Sequence, residues 1–215
     1  MKPRQRNPTR TRQVQRALTL IELMVVVVVA AVLVALVAPS FRDLILNQRL
    51  KSIHAQVVTD LKFARAEAVA RGVLVSVHFR PAGVGGTMSC YSIVTDAVRE
   101  SAVPKRASNR CDCRQPAGSR CVAAKTLELR TVQVPVSQSV RFQMPVGQVD
   151  HFAFDPVTGG MLPGYTEAGL PFAGDIVVES LISNERRLRS IVGLAGRVMT
   201  CRPTGSVFGE VACGT

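Results

Sequence analysis

The sequence predicts an α+β chain, with one long N-terminal helix followed by an antiparallel β domain, and three observations predict it. Residues 17–38 (ALTLIELMVVVVVAAVLVALVA) form an apolar run with a single acid, Glu22. From residue 40 to 71, apolar side chains recur at three- and four-residue steps, the spacing of one helix face. After Gly72 the pattern changes to short runs of β-branched residues between turn residues.

The apolar run is 22 residues long. At about 1.5 Å rise per residue it reaches across a bilayer core of roughly 30 Å. An acid inside such a segment costs about 2.5–3.5 kcal/mol at the centre of the membrane and less near an end. No cation lies within the run, so the nearest partner for Glu22 is the amine that a cut just upstream would create. The preceding residues carry Lys2, Arg4, Arg6, Arg10, Arg12 and Arg16 and no acid. A positive flank of this kind stays in the cytoplasm and sends the rest of the chain outward. An ordinary secretory signal places its small-residue cleavage site beyond a short apolar stretch. Here the small residue, Ala17, stands on the near side; a signal anchor with a stray acid is the plain alternative.

Pro39 ends the apolar run. Phe41, Leu44, Ile45, Ile53, Val57, Leu61, Ala64 and Ala68 then mark an apolar stripe, with Arg42, Asp43, Arg49, Lys51, Asp60, Lys62, Arg65 and Glu67 between them. Gly72 reads as a helix stop. The simplest structure is one helix over 19–71, kinked or locally unwound at Pro39. Strands are expected near 73–79, 90–95, 127–134, 140–144, 150–154, 176–180, 189–193 and 196–201, with loops at 83–86, 104–117 and 158–160. Asp155-Pro156-Val157-Thr158-Gly159 has too few oxygen ligands for calcium and reads as a β-turn.

The 144 residues from Gly72 onward suffice for one compact domain. Residues 18–215 hold 21 basic and 15 acidic side chains, a net charge of +6, so much of the chain's basicity is a topology signal. All six cysteines (Cys90, Cys111, Cys113, Cys121, Cys201, Cys213) lie outside the apolar run. An outward-facing domain sits where disulfides persist, and the even count agrees. Cys201 and Cys213 bracket a short tail that a bond would clip. The other four would form two bonds around a polar loop, with Cys111 and Cys113 too close in sequence to pair. A zinc site from Cys111, Cys113 and Cys121 is the sharper alternative, but the spacing is wrong for paired knuckles.

No catalytic constellation is visible. His54, His78 and His151 are scattered, and no nucleophile elbow, metalloprotease helix, phosphate loop or dinucleotide glycine set occurs. The chain is expected to be no enzyme, with no cofactor and no metal. Arg186, Arg187 and Arg189 cluster before one strand, and Arg197 and Arg202 flank the last. Phosphate contact needs several cations on one face, and base stacking needs aromatics, which make up 5% of the chain. Ordinary surface charge is the simpler account; DNA contact is the alternative.

Ala17-Leu18-Thr19-Leu20-Ile21-Glu22-Leu23, running into the Val/Ala stretch, resembles the class-III leader of type IV pilins. That resemblance implies cleavage by a prepilin peptidase between Ala17 and Leu18, N-methylation of Leu18, and a role for Glu22 in assembly through a neighbouring subunit's amine. It also places Pro39 where pilin helices bend or melt. Family members mostly carry Gly before the cut and Phe after it, where this chain has Ala17 and Leu18. The stretch 61–77 (LKFARAEAVARGVLVSV) is similar to the helix-to-strand junction of the GspH/FimT family of minor pilins and pseudopilins, and 196–203 (GRVMTCRP) to its last strand. Some relatives bind DNA through Gly-Arg-x-Arg here; in this chain Met199 replaces the second arginine, and Arg202 is the only substitute close in sequence. The resemblance implies a leader (1–17), a transmembrane and assembly helix (18–39), an amphipathic helix (40–71) and a periplasmic β domain (72–215). The expected role is a minor pilin, held in inner-membrane lipid with its N-terminus cytoplasmic and packed through its helix beside other pilins or pseudopilins. A type II secretion pseudopilin and a DNA-binding uptake subunit are the alternatives.

Overall fold

The computed structural model describes residues 19–83, 85–96, 111–121, 126–165, 170–203, 209 and 211–213, without the side chains of 36–39 and 96. The chain divides into two compact units, Met1–Asp43 and Leu44–Thr215.

Helix α1 runs from Leu20 to Arg71. In the first unit its large apolar side chains are exposed from Leu20 to Val34. The backbone is helical through residue 39, so of the kink or local unwinding expected there the unwinding is not seen, and the side chain of Pro39 lies outside the described residues. Without residues 36–39, no single helical stretch among the described residues is long and apolar enough to cross a membrane. Leu20–Ala35 and Ser40–Arg71 satisfy that test together, by length and composition.

In the second unit the helix buries Leu50, Ile53, Val57, Leu61, Ala64 and Ala68, steps of three and four residues that keep one face on the sheets. The expected stripe is therefore real from Ile53 onward. Its first members, Phe41, Leu44 and Ile45, are more than half exposed. Gly72, with φ +63°, ends the helix in the left-handed region that its missing Cβ permits.

Nine strands follow among the described residues: β1 (Leu74–Arg80), β2 (Met88–Asp96), β3 (Thr126–Pro135), β4 (Arg141–Gln143), β5 (His151–Phe154), β6 (Met161–Pro163), β7 (Ile176–Leu181), β8 (Arg187–Val192) and β9 (Val198–Cys201). They form two antiparallel sheets, ordered β3-β2-β1-β5-β6 and β4-β7-β8-β9. A bulge between Ile93 and Val94 lets β2 follow β3. Phe79, Tyr91 and Phe142 meet at ring-centroid distances of 5.2–6.1 Å, and Phe142 belongs to the other sheet, so aromatic packing joins the two. The Phe142 N–H donates to Ser89 Oγ at the same junction.

Beneath this core the carboxylate of Asp60, buried on α1, accepts from the Tyr91 hydroxyl at 2.6 Å and pairs with Arg130. The Arg130 guanidinium also lies 5.2 Å from the centre of the Phe63 ring. Cys90 bonds to Cys113, pinning the loop to β2, and Cys111 bonds to Cys121 within it. Cys201 bonds to Cys213, clipping the tail to β9. The zinc alternative falls, because Cys111, Cys113 and Cys121 are spent in two different disulfides. The calcium alternative falls too: Asp155 Oδ2 turns inward to accept from the N–H groups of Val157 and Thr158, closing the expected turn.

Candidate functional site

The N-terminal site is built by a capped helix start. Thr19 Oγ1 accepts the N–H of Glu22 at 3.3 Å, and the Leu23 N–H bonds the Thr19 carbonyl. Glu22 thus occupies the first turn of α1, where the free N–H groups and the helix dipole favour an anion. The dipole offsets part of the cost of placing an acid on an apolar helix. Thr19-x-x-Glu22 is a capping-box spacing; that signal would have identified Thr19, which the apolar pattern alone passes over. Ala17 and Leu18 lie outside the described residues.

The arginines that sequence position groups together do different work. Glu179 is buried on the outer face of the four-stranded sheet. It accepts from Arg189 at 2.7 and 3.1 Å and from Arg187 at 3.4 Å. Arg187 and Arg189, for which DNA contact was the alternative to ordinary surface charge, are ion-pair partners of a buried carboxylate. Arg186 belongs to the turn before β8, its N–H bonded back to Ser183. Arg202 bonds through its backbone to Val211 and Cys213 in the clipped tail. Arg197 stands exposed in the β8–β9 turn. β9 runs the whole way between Arg197 and Arg202, roughly 16 Å at the extended rise, so Arg202 does not substitute for a neighbouring second arginine.

The histidines build no reactive site. His78 and His151 face each other across β1 and β5, rings 6.0 Å apart. His151 Nδ1 bonds Asp150 at 2.8 Å and Nε2 accepts the Tyr165 N–H at 3.4 Å, which uses both ring nitrogens. The His151 hydrogen bond holds the Asp150 carboxyl below the usual carboxylate range, despite its partial burial. No group of three metal-ligating side chains is present among the described residues.

One surface feature was not foreseen. A groove of about 680 Å³ lies between the last turns of α1 and the β8–β9 turn. Lys62, Arg65 and Arg197 supply cations, and Ala66, Val69 and Val198 supply apolar walls. Sequence distance hides it, since more than 120 residues separate its two sides.

Residues 12–38 match the family model described as the prokaryotic N-terminal methylation motif. No curated protein matches the chain. Two crystal structures of the type IV minor pilin FimU of Pseudomonas aeruginosa PAO1, in space groups P65 and P21, are similar to it. Each is 15% identical with a TM-score of 0.42 and covers 71% of this chain, and the match takes in 92% and 87% of those chains. The methylation motif thus covers the start of the long N-terminal helix, and the rest of the chain carries two antiparallel sheets.

Proposed function

We propose that this chain is a minor pilin, a non-enzymatic assembly subunit of a type IV pilus. It would be made with a leader at 1–17, cut by prepilin peptidase between Ala17 and Leu18, and N-methylated on Leu18. Before assembly the helix at 18–39 would hold it in the inner membrane, with the β domain at 72–215 on the periplasmic side. Residues 40–71 would carry that domain. The observation that supports this reading most directly is the acid in the first turn of α1, whose stretch from Leu20 to Val34 is otherwise apolar, exposed and within a methylation motif.

The physical argument is electrostatic. A new amine at Leu18 would lie four residues from Glu22, about 6 Å along the helix axis, so the two meet between subunits at one axial offset. When helices pack side by side, one subunit's amine can meet its neighbour's carboxylate, and in low dielectric that pairing is far stronger than in water. It also aligns the helices axially, since a shift by one turn separates the charges by about 5.4 Å. Apolar contact alone sets no such register.

Terminal sequencing of the mature protein is the first test. It should begin at methylated Leu18, and a native protein that begins at Met1 would refute the reading. The second test is Glu22→Val, which should insert into the membrane normally yet be lost from sheared pilus fractions by about tenfold or more, as expected when a buried charge loses its partner. Unchanged incorporation would rule out the pairing.

A further inference from the structure

We infer that the groove beside the β8–β9 turn is a docking site for an extended acidic peptide segment of a partner protein, one whose carboxylates are spaced by small apolar side chains. The groove lies wholly within the unit Leu44–Thr215, so the proposal stands apart from the fate of the N-terminal helix.

The walls are built by contacts that fix them. Gly159 and Gly196 both have positive φ, +64° and +73°. A Cβ on Gly196 would sit 2.0 Å from the Gly159 carbonyl oxygen, so the two turns touch through backbone. A Cβ on either glycine would lie 3.1 Å from Arg65 Nε, which places that guanidinium directly beneath both turns. This side of the groove is thus built on packed backbone, and fixed walls limit the entropy cost of binding. Its volume falls in the range of ordinary ligand pockets.

Charge and surface together choose the occupant. Lys62, Arg65 and Arg197 line the groove, and no acid does. The nearest acid on the helix, Glu67, is turned to an ion pair with Arg71. A carboxylate would therefore meet cations from the helix and from the hairpin at once. The walls between them, Ala66, Val69 and Val198, are small and apolar, suited to Ala- or Val-sized side chains on alternate positions of an extended strand. Nucleic acid fits less well, because no aromatic lines the groove for base stacking and three cations release few counterions. Of the described tail residues, Gly209 lies against Lys51, about 22 Å along the helix from Ala66.

The test uses the full chain in detergent micelles and a fluorescein-labelled Glu-Val-Ala-Val-Glu peptide, with its Gln-Val-Ala-Val-Gln twin as control. Anisotropy titrations should show the acidic peptide binding about tenfold more tightly than the twin, with the difference shrinking as salt screens it. Arg197→Gln and Lys62→Gln change exposed side chains and should each weaken the acidic peptide about three- to tenfold. Val69→Asp should remove its binding. Equal affinity for the two peptides would overturn the proposal. So would binding indifferent to these substitutions, or displacement of the peptide by a single-stranded oligonucleotide that depends on the same residues.

Discussion

Replacing His54 by leucine should make the protein more resistant to acid. His54 lies on the buried face of α1, 4% exposed, and neither ring nitrogen has a hydrogen-bond partner among the described residues. Burial lowers its pKa from 6.5 to about 4. The unfolded chain takes up a proton as pH falls through 6.5, while the folded protein takes one up only near 4. Between those values the unfolded state binds more protons, so stability falls with falling pH and levels off below about 4. At 1.36 kcal/mol per pKa unit the full loss is about 3 kcal/mol, and about 2 kcal/mol of it has gone by pH 5. The assay is urea unfolding of the full chain in detergent, followed by circular dichroism at pH 7.5 and 5. With a slope of about 2 kcal/mol per molar, the wild-type midpoint should drop by about 1 M more than that of His54→Leu. His78, His151 and every carboxylate are common to both proteins and cancel in the comparison. At pH 7.5 the variant should equal or exceed the wild type, because it no longer buries two unpaired nitrogens. Parallel loss of stability in the two proteins would refute the reasoning.

Three further outcomes follow from particular contacts. Tyr91→Phe removes the hydroxyl that donates to buried Asp60 and should cost about 1–3 kcal/mol in the same unfolding assay. Burial and the Asp60 carboxylate push that hydroxyl's pKa up, so it remains a donor and the cost should not vary between pH 6 and 9. Gly196→Ala drives a methyl group into the Gly159 carbonyl and should cost at least about 1–2 kcal/mol, where Gly83→Ala, with open space around it, should cost little. Cys213→Ser should free the tail and speed elastase cleavage beside Val211 and Ala212 while leaving the sheet core intact; the loop-entropy ceiling on the loss is about 3 kcal/mol.

The helix and most strands were legible because their patterns are local. Gly72 stops α1 where its conformational freedom is needed, and the β-branched runs at 73–79 and 90–95 became β1 and β2 with ends shifted by one or two residues. β6 was missed because Met161-Leu162-Pro163 is too short to alternate and ends in a residue that cannot donate to a ladder. It forms by pairing with β5, a cue that no local pattern carries. Phe41, Leu44 and Ile45 continue the apolar period but precede the sheets that bury Ile53 and Val57, so periodicity named the face correctly and overran its buried extent. The ion pairs of the arginine cluster were hidden for a related reason. Arg187 and Arg189 look like free cations in sequence, and only the pairing of β7 with β8 brings Glu179 beside them.

That pairing bears on what the residual positive charge can do. A net +6 over residues 18–215 suggests affinity for polyanions, yet the acids are placed where they consume cations. Asp60 takes Arg130, Glu179 takes Arg187 and Arg189, and Glu128 takes Arg120 at 2.6 Å. Asp60 and Glu179 are buried, and losing their arginines would leave uncompensated carboxylates in the interior. Such arginines cannot be lent to a phosphate without a loss of stability comparable to the binding energy that the phosphate supplies. The groove is different. Lys62 and Arg197 are exposed beside apolar walls, and engaging them breaks none of these buried pairs. Charge available for recognition is thus present at the end of α1 and its neighbouring hairpin, where the apolar walls between the cations favour a ligand with few carboxylates and apolar surface between them over a long, uniformly charged one.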